Sequence, residues 1–174
     1  MDSRGFSRVA TEAPIAFGQR LAGSDAFKTM FREGMALVEE AASYLDGEGR
    51  RQSRDLPRAQ SLTYASESMR LTTRLMQLAS WLLLQRAVNN GDMSQSEANR
   101  ERAKVKLGGL STATDGPAWE ALPGRMQDLV RRSLNLQQRI VLLNEALTQA
   151  PVEASPNPVQ ARLGRIAAAF GAKP

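Results

Sequence analysis

The apolar residues of this chain recur at intervals of three and four along three long segments, which is the spacing of one face of an α-helix. The first segment covers residues 24–46, the second residues 55–89 and the third residues 122–149. A capping residue opens the first and the second, and glycine or proline follows each of the three. The pattern predicts an all-α protein, an antiparallel three-helix bundle with one short extra helix.

Two local features refine this picture. Gly34, Ala41 and Ala42 place small residues in the middle of the first helix's apolar face, where they would let a neighbouring helix approach closely. Ser94 and Glu97 have the spacing of a capping box, which predicts a short, highly charged helix from residue 95 to about 106 on the surface. A loop rich in glycine, threonine and proline follows over 108–124, and we expect Trp119 to pin it to the bundle.

The chain divides into a flexible N-terminal segment (residues 1–22), a helical bundle domain (23–150) and a disordered C-terminal tail (151–174) that holds four prolines. Leu163, Ile166 and Phe170 share one face of a short helical pattern in this tail. The pattern predicts either a helix that folds in a partner's groove or a segment that docks back on its own chain or has no role.

The second helix has more apolar residues than one bundle face requires. Two of its rows, 62/65/69/72/76/79/83 and 71/75/78/82, are assigned to the core. Trp81, Leu84 and Val88 then fall on the opposite side, the side predicted to face water. We interpret these three residues as a dimer or partner interface, with the alternative that the short extra helix or the Trp119 loop covers them.

Composition argues against catalysis. The 174 residues include neither cysteine nor histidine, which removes thiolate chemistry and the commonest general base and metal ligand. Without a cofactor or phosphate-binding motif, we predict no catalytic, cofactor-binding or metal-binding residues and no enzyme activity. The chain lacks an apolar run of about 18 residues and a signal peptide, so we expect a cytoplasmic protein that does not enter a membrane.

The charge is unevenly distributed although the net value is only +5. Residues 24–48 hold six acids against two bases, whereas residues 50–86 hold seven arginines against two acids. One interpretation is an ordinary solvated surface with this charge distribution. The other is a basic docking surface for an acidic partner, formed by Arg50, Arg51, Arg54, Arg70 and Arg74. These bases are not interleaved with aromatic residues, which makes nucleic-acid binding the weaker alternative.

Two stretches, GSDAFKTMFREGMALVEEAASYLDGEGR (23–50) and SMRLTTRLMQLASWLLLQRAVNNGDM (68–93), resemble the RcdA family, regulators of CtrA degradation in alphaproteobacteria. The resemblance runs over most of residues 17–107. It implies a small helical bundle that forms homodimers and serves as an adaptor of the ClpXP protease. It further implies work with a single-domain response regulator that primes ClpX, with a cyclic-di-GMP-binding adaptor, and at a cell pole. The resemblance supplies no binding residues.

The function expected from these observations is that of a non-enzymatic adaptor. Such a protein would help deliver cell-cycle regulators, including the transcription factor CtrA, to ClpXP. The alternative is a nucleic-acid-associated helical regulator, which the pI of about 10.2 would suit.

Overall fold

The computed structural model describes residues 17–109 and 112–148, which are helical without any strand. The prediction of an all-α bundle is confirmed. The helices are α1 (Phe17–Ala22), α2 (Asp25–Asp46), α3 (Glu48–Arg54), α4 (Arg58–Asn90), α5 (Gln95–Arg102), α6 (Pro117–Glu120) and α7 (Gly124–Thr148). The predicted disordered tail, with its residues Leu163, Ile166 and Phe170, lies outside the described residues.

The ends of the long helices follow the local signals in the sequence. Ser24 is the N-cap of α2, although its hydroxyl donates backwards to the carbonyl oxygen of Leu21 at 2.6 Å and does not bond the first turn of α2. Gly91 ends α4 in a left-handed conformation, with φ of 80°, which a residue without a Cβ adopts at no steric penalty. The predicted bounds of α2, α4 and α7 are therefore confirmed to within a few residues.

Helix α2 is antiparallel to α7, as two ion pairs show. Arg139 meets Glu33 at 2.6 Å and Arg132 meets Glu40 at 2.8 Å, so rising numbers on α2 match falling numbers on α7. Both partners step by seven residues, which keeps the pairs on one face of each helix. The acidic residues of α2 thus form their ion pairs mainly with arginines of α7.

Helix α4 is antiparallel to α2 and runs in the same direction as α7. Gly34 of α2 lies against Leu82, while Tyr44 lies near Tyr64. Towards α7, Arg74 bonds Ser133, and Trp81, seven residues further on, bonds Asn144. The segment 91–123, with α5 and α6, therefore carries the chain back along the bundle before α7 begins.

Side chains from α2, α4 and α7 meet in one continuous core. The core row 71/75/78/82 on α4 is confirmed as buried. Trp119 is buried too and pins the α6 segment as predicted, under the guanidinium of Arg131 at 5.2 Å from the ring centre. The fully buried apolar residues, all below 2% exposure, are Leu71, Leu78, Trp81, Leu82, Ala98, Met126, Leu129, Val130 and Ile140.

Small residues set the distance between α2 and its neighbours. Gly34 and Ala41 are buried as predicted, whereas Ala42 is exposed. A Cβ built on Gly34 would lie 2.5 Å from Cδ1 of Leu82 and 3.4 Å from Cδ2 of Leu136. The absent methyl group is therefore what allows α2, α4 and α7 to meet at this level.

Replacing that glycine, Gly34→Ala, is expected to lower the free energy of unfolding by about 1–3 kcal/mol, because an added methyl group overpacks a site closed on two sides. Urea denaturation followed by circular dichroism measures the change. Gly124→Ala is the matched control, since a Cβ there has no neighbour within 4 Å and should cause no loss. An equal stability of both variants and the parent would contradict the assigned close contact.

Within residues 17–109 and 112–148, no helix combines the length and the apolar character needed to cross a bilayer.

Candidate interaction surfaces

Trp81 is buried inside its own chain, contrary to its predicted place in an interface. Its side chain has 0% exposure, and its indole N–H donates to Oδ1 of Asn144 on α7 at 2.9 Å. The guanidinium of Arg102 lies 5.8 Å from its ring centre on the α5 side. The alternative interpretation, in which the short extra helix covers this part of α4, is correct for Trp81.

Leu84 and Val88 are only half-buried. Leu84 shares a shallow notch with Ser80 and Ala87 of α4 and with Val105, which follows α5. The interface prediction for Leu84 and Val88 is untested by the fold and remains a prediction.

Helix α5 is attached to α4 through a buried polar network as well as through Ala98. Its capping box forms as predicted, with the N–H of Glu97 donating to Ser94 Oγ at 3.3 Å and the N–H of Ser94 donating to Glu97 Oε2 at 3.0 Å. Arg102 is buried and donates to Oε1 of Gln85 at 3.1 Å. Burial lowers the pKa of Arg102 from its ordinary value.

Arg74 is also buried, with 0% exposure, so it does not belong to a basic docking surface. Its guanidinium donates to Ser133 Oγ at 2.9 Å and to Thr112 Oγ1 at 3.1 Å. Thr112 in turn donates to Oε2 of Glu67 at 2.9 Å. Burial lowers the pKa of Arg74, and the nearby Glu67 carboxylate opposes that shift. The cluster ties α4, α7 and the loop before α6 together.

The other four predicted basic residues are exposed. Arg50, Arg51 and Arg54 lie on α3, between the first two predicted helices, where the pattern predicted no helix. Arg70 lies on α4 and pairs with Glu67 at 2.5 Å. A basic docking surface therefore remains a prediction, and it is now limited to the α3 arginines and the residues around them.

The most exposed apolar surface among the described residues lies on α4 and was not predicted from the sequence. Leu62, Met69, Met76 and Leu83 are 51–73% exposed, and we call these four residues the outer stripe. They had been assigned to the core, and that assignment is wrong. Successive members are seven residues apart, so each is turned by about 20° from the next, and the four span about 60° of one face of α4 over roughly 32 Å of helix. The seven-residue spacing was the signal that could have found them.

The residues that flank the outer stripe on the same face of α4 are small and uncharged. Ala65, Thr72, Thr73, Ala79 and Ser80 occupy this face, and Thr72, Thr73 and Ser80 turn their hydroxyls back to carbonyl oxygens of α4 itself. Those hydroxyls are thus satisfied without water. Long apolar side chains alternate with small ones on this face. Such a surface of knobs and holes can pack against a second helix.

The described residues hold no group of three or more carboxylates placed to bind a metal ion. Glu33 and Glu40 of α2 and Asp128 of α7 form ion pairs with arginines of α7. The arrangement found is therefore one of surfaces and packing contacts.

Two comparisons relate this chain to known proteins. The family described as "Protein of unknown function (DUF1465)" matches residues 18–170. The crystal structure of RcdA from Caulobacter crescentus CB15 is 44% identical, with a TM-score of 0.61, and the alignment covers 76% of this chain and 97% of that one. No curated protein matches the sequence.

Proposed function

We propose, since this chain belongs to the RcdA family that the DUF1465 description covers, that it is a non-enzymatic adaptor of regulated proteolysis. The observation that carries the proposal is the 44% identity to RcdA over nearly the whole of that protein. In this role the chain delivers cell-cycle regulators such as CtrA to the ClpXP protease and performs no reaction itself.

The mechanism is an increase in effective concentration. An adaptor that holds cargo on one surface and the primed protease on another turns a weak bimolecular encounter into an intramolecular one. The protease side includes ClpX, a single-domain response regulator that primes it, and a cyclic-di-GMP-binding adaptor. These partners place the protein in the cytoplasm, concentrated at a cell pole. No cofactor is needed for this mechanism.

The outer stripe is the surface that we assign to a homodimer. It lies on the side of α4 that faces away from α2 and α7, and its exposed methionines and leucines would form an apolar patch in an isolated chain. No acidic or basic side chain interrupts its centre, so it carries no charge pattern that would select a different protein. A second copy offers the same alternation of long and small side chains, which makes the surface self-complementary.

A reconstituted degradation assay tests the proposed function. We expect this protein to raise the rate at which ClpXP with its priming regulator degrades a cargo transcription factor by at least about tenfold. Removal of residues 151–174 should leave the helical content unchanged and slow that degradation, because these residues are the proposed tether through Leu163, Ile166 and Phe170. A model substrate that ClpXP degrades without help serves as the control. Equal cargo degradation with and without the protein would refute the adaptor role.

Nucleic-acid binding is the second candidate, favoured by the net charge of +5 and the pI of about 10.2. The fold weakens it, since Arg74 and Arg102 are buried and Arg132 is held between Glu40 and Asp128. DNA affinity measured between about 50 and 200 mM salt separates the two functions. An adaptor should show no appreciable binding at the higher value, whereas retained sequence-dependent binding would favour the alternative.

A further inference from the structure

A cavity lies where the start of α2 meets the end of α4. Its volume is about 690 Å³, and Phe27 and Phe31 contribute its apolar floor. Phe27 is buried in the core, whereas Phe31 remains partly accessible. The two rings are tilted by 44°, with centroids 6.4 Å apart. A pocket of this size with an aromatic floor is of the kind that takes an apolar side chain from a ligand.

The rim of this cavity is basic. Arg86 from α4 places its guanidinium 4.8 Å from the ring centre of Phe31, and Arg32 reaches Thr29 Oγ1 at 3.4 Å. Neither arginine has a carboxylate partner among residues 17–109 and 112–148. The one acid in the lining, Asp25, pairs with Lys28 at 2.9 Å, and Arg32 adds a weaker attraction to the same carboxylate.

The excess positive charge at this recess is therefore carried by two guanidiniums that form no ion pair within the described part of the chain. Other arginines of the same bundle do have carboxylate partners. Arg132 and Arg139, on the α7 side, each meet a carboxylate of α2. A guanidinium held beside an aromatic ring, as Arg86 is beside Phe31, is positioned for carboxylate groups that arrive from outside the chain.

The shape of the recess decides between ligand classes. Its rim residues Thr29, Arg32, Arg86 and Asn90 are all exposed, so the site is open along one side. Small-molecule sites bury most of their ligand's surface, which an open recess does not do. An extended chain can lie across such a rim while one side chain enters the cavity. Asn90 adds an amide, free of partners in the described residues, that can bond a peptide backbone.

From this geometry we propose that the recess binds an acidic peptide segment of another protein, with one aromatic or large aliphatic side chain on the Phe27–Phe31 floor and flanking carboxylates on Arg32 and Arg86. The site is separate from the outer stripe and from the α3 arginines. It does not depend on the proposed function, because peptide binding is measured without any protease.

Fluorescence anisotropy with the full chain tests the proposal. The probe is a short fluorescein-labelled peptide with glutamates on both sides of a single phenylalanine. The double variant Arg32→Gln/Arg86→Gln should weaken its binding by at least about tenfold, since two charge-assisted contacts are removed. A peptide with glutamine in place of glutamate, and one with alanine in place of phenylalanine, should each bind the parent protein several-fold more weakly.

Arg100→Gln is the matched control, because Arg100 is an exposed arginine on α5 that lines no part of this recess. We expect that variant to bind the peptide as the parent does, and melting curves should show both variants folded. An equal loss in Arg100→Gln would reveal diffuse charge attraction and overturn the proposal. So would an unaltered affinity of the double variant, or stronger binding of a single-stranded oligonucleotide that depends on Arg32 and Arg86.

Discussion

Introducing glutamate at the centre of the outer stripe, Met69→Glu together with Met76→Glu, is expected to convert the proposed homodimer to monomers without loss of helix. Both methionines are more than 60% exposed in the single chain and lie outside its core, so the substitutions should disturb the packing of the bundle little. The effect should therefore appear in association alone.

The size of the effect follows from symmetry. In a two-fold dimer each stripe residue is buried twice, so about eight large apolar side chains would leave water. At roughly 25 cal/mol per Å² this amounts to on the order of 10 kcal/mol before the loss of translational freedom is counted. The double variant would instead bring four carboxylates together in an apolar interface. We expect the dissociation constant to rise by at least about 100-fold.

Light scattering coupled to gel filtration, over a range of concentrations, gives the mass of each species. Leu142→Glu is the matched control, because Leu142 is 59% exposed on α7, outside the stripe. That variant should keep the mass of the parent. A monomeric parent at high concentration, or an unaltered dimer of Met69→Glu/Met76→Glu, would rule out the stripe as the dimer surface.

The ends of the helices were open to prediction from sequence because local residues determine them. Ser94 and Glu97 bond each other within one turn, and Gly91 supplies a conformation that most residues avoid. Helix α3 was missed for an equally physical reason. Gly49, a residue type common in loops, is needed here for close packing, because a Cβ there would collide with the hydroxyl of Tyr64 and the ring of Tyr44. A glycine required by packing cannot be told from a glycine required by a turn in a single sequence.

The orientation of α4 was not predictable in the same way. Apolar residues occur nearly all the way round this helix, so spacing alone did not decide which face enters the core. Arg74 and Trp81 were placed towards water because they share the side of the helix opposite the two rows assigned to the core. Their hydrogen-bond partners Thr112, Ser133 and Asn144 are 38, 59 and 63 residues away in the chain, and only the folded bundle brings them into reach.

Removing the buried guanidinium, Arg74→Ala, is expected to produce the largest loss of stability of any single substitution considered. Arg74 bonds Ser133 and Thr112, and Glu67, bonded to Thr112, is itself only 6% exposed. Without the arginine, a buried carboxylate loses its nearby internal cation and a cavity opens between α4 and α7. Breaking such a buried charge network costs about 3–5 kcal/mol.

Urea denaturation should show this loss, together with a fall in melting temperature of about 6–20 °C. Arg70→Ala provides the comparison, since Arg70 pairs with the same Glu67 from the solvent side, with its own side chain 46% exposed. A pair in that position contributes about 0–1 kcal/mol.

Arg74→Met separates the charge from the packing. The methionine keeps an apolar stem in place of the arginine's methylene groups, so it should recover part of the loss while staying below Arg70→Ala in stability. The same variant should also loosen the loop that Thr112 anchors, because that hydroxyl loses its donor on α4. Faster trypsin cleavage after Lys104 or Lys106 than in Arg70→Ala would report this loosening. If Arg74→Ala and Arg70→Ala lose stability equally, the buried cluster does not hold α4, α7 and this loop together.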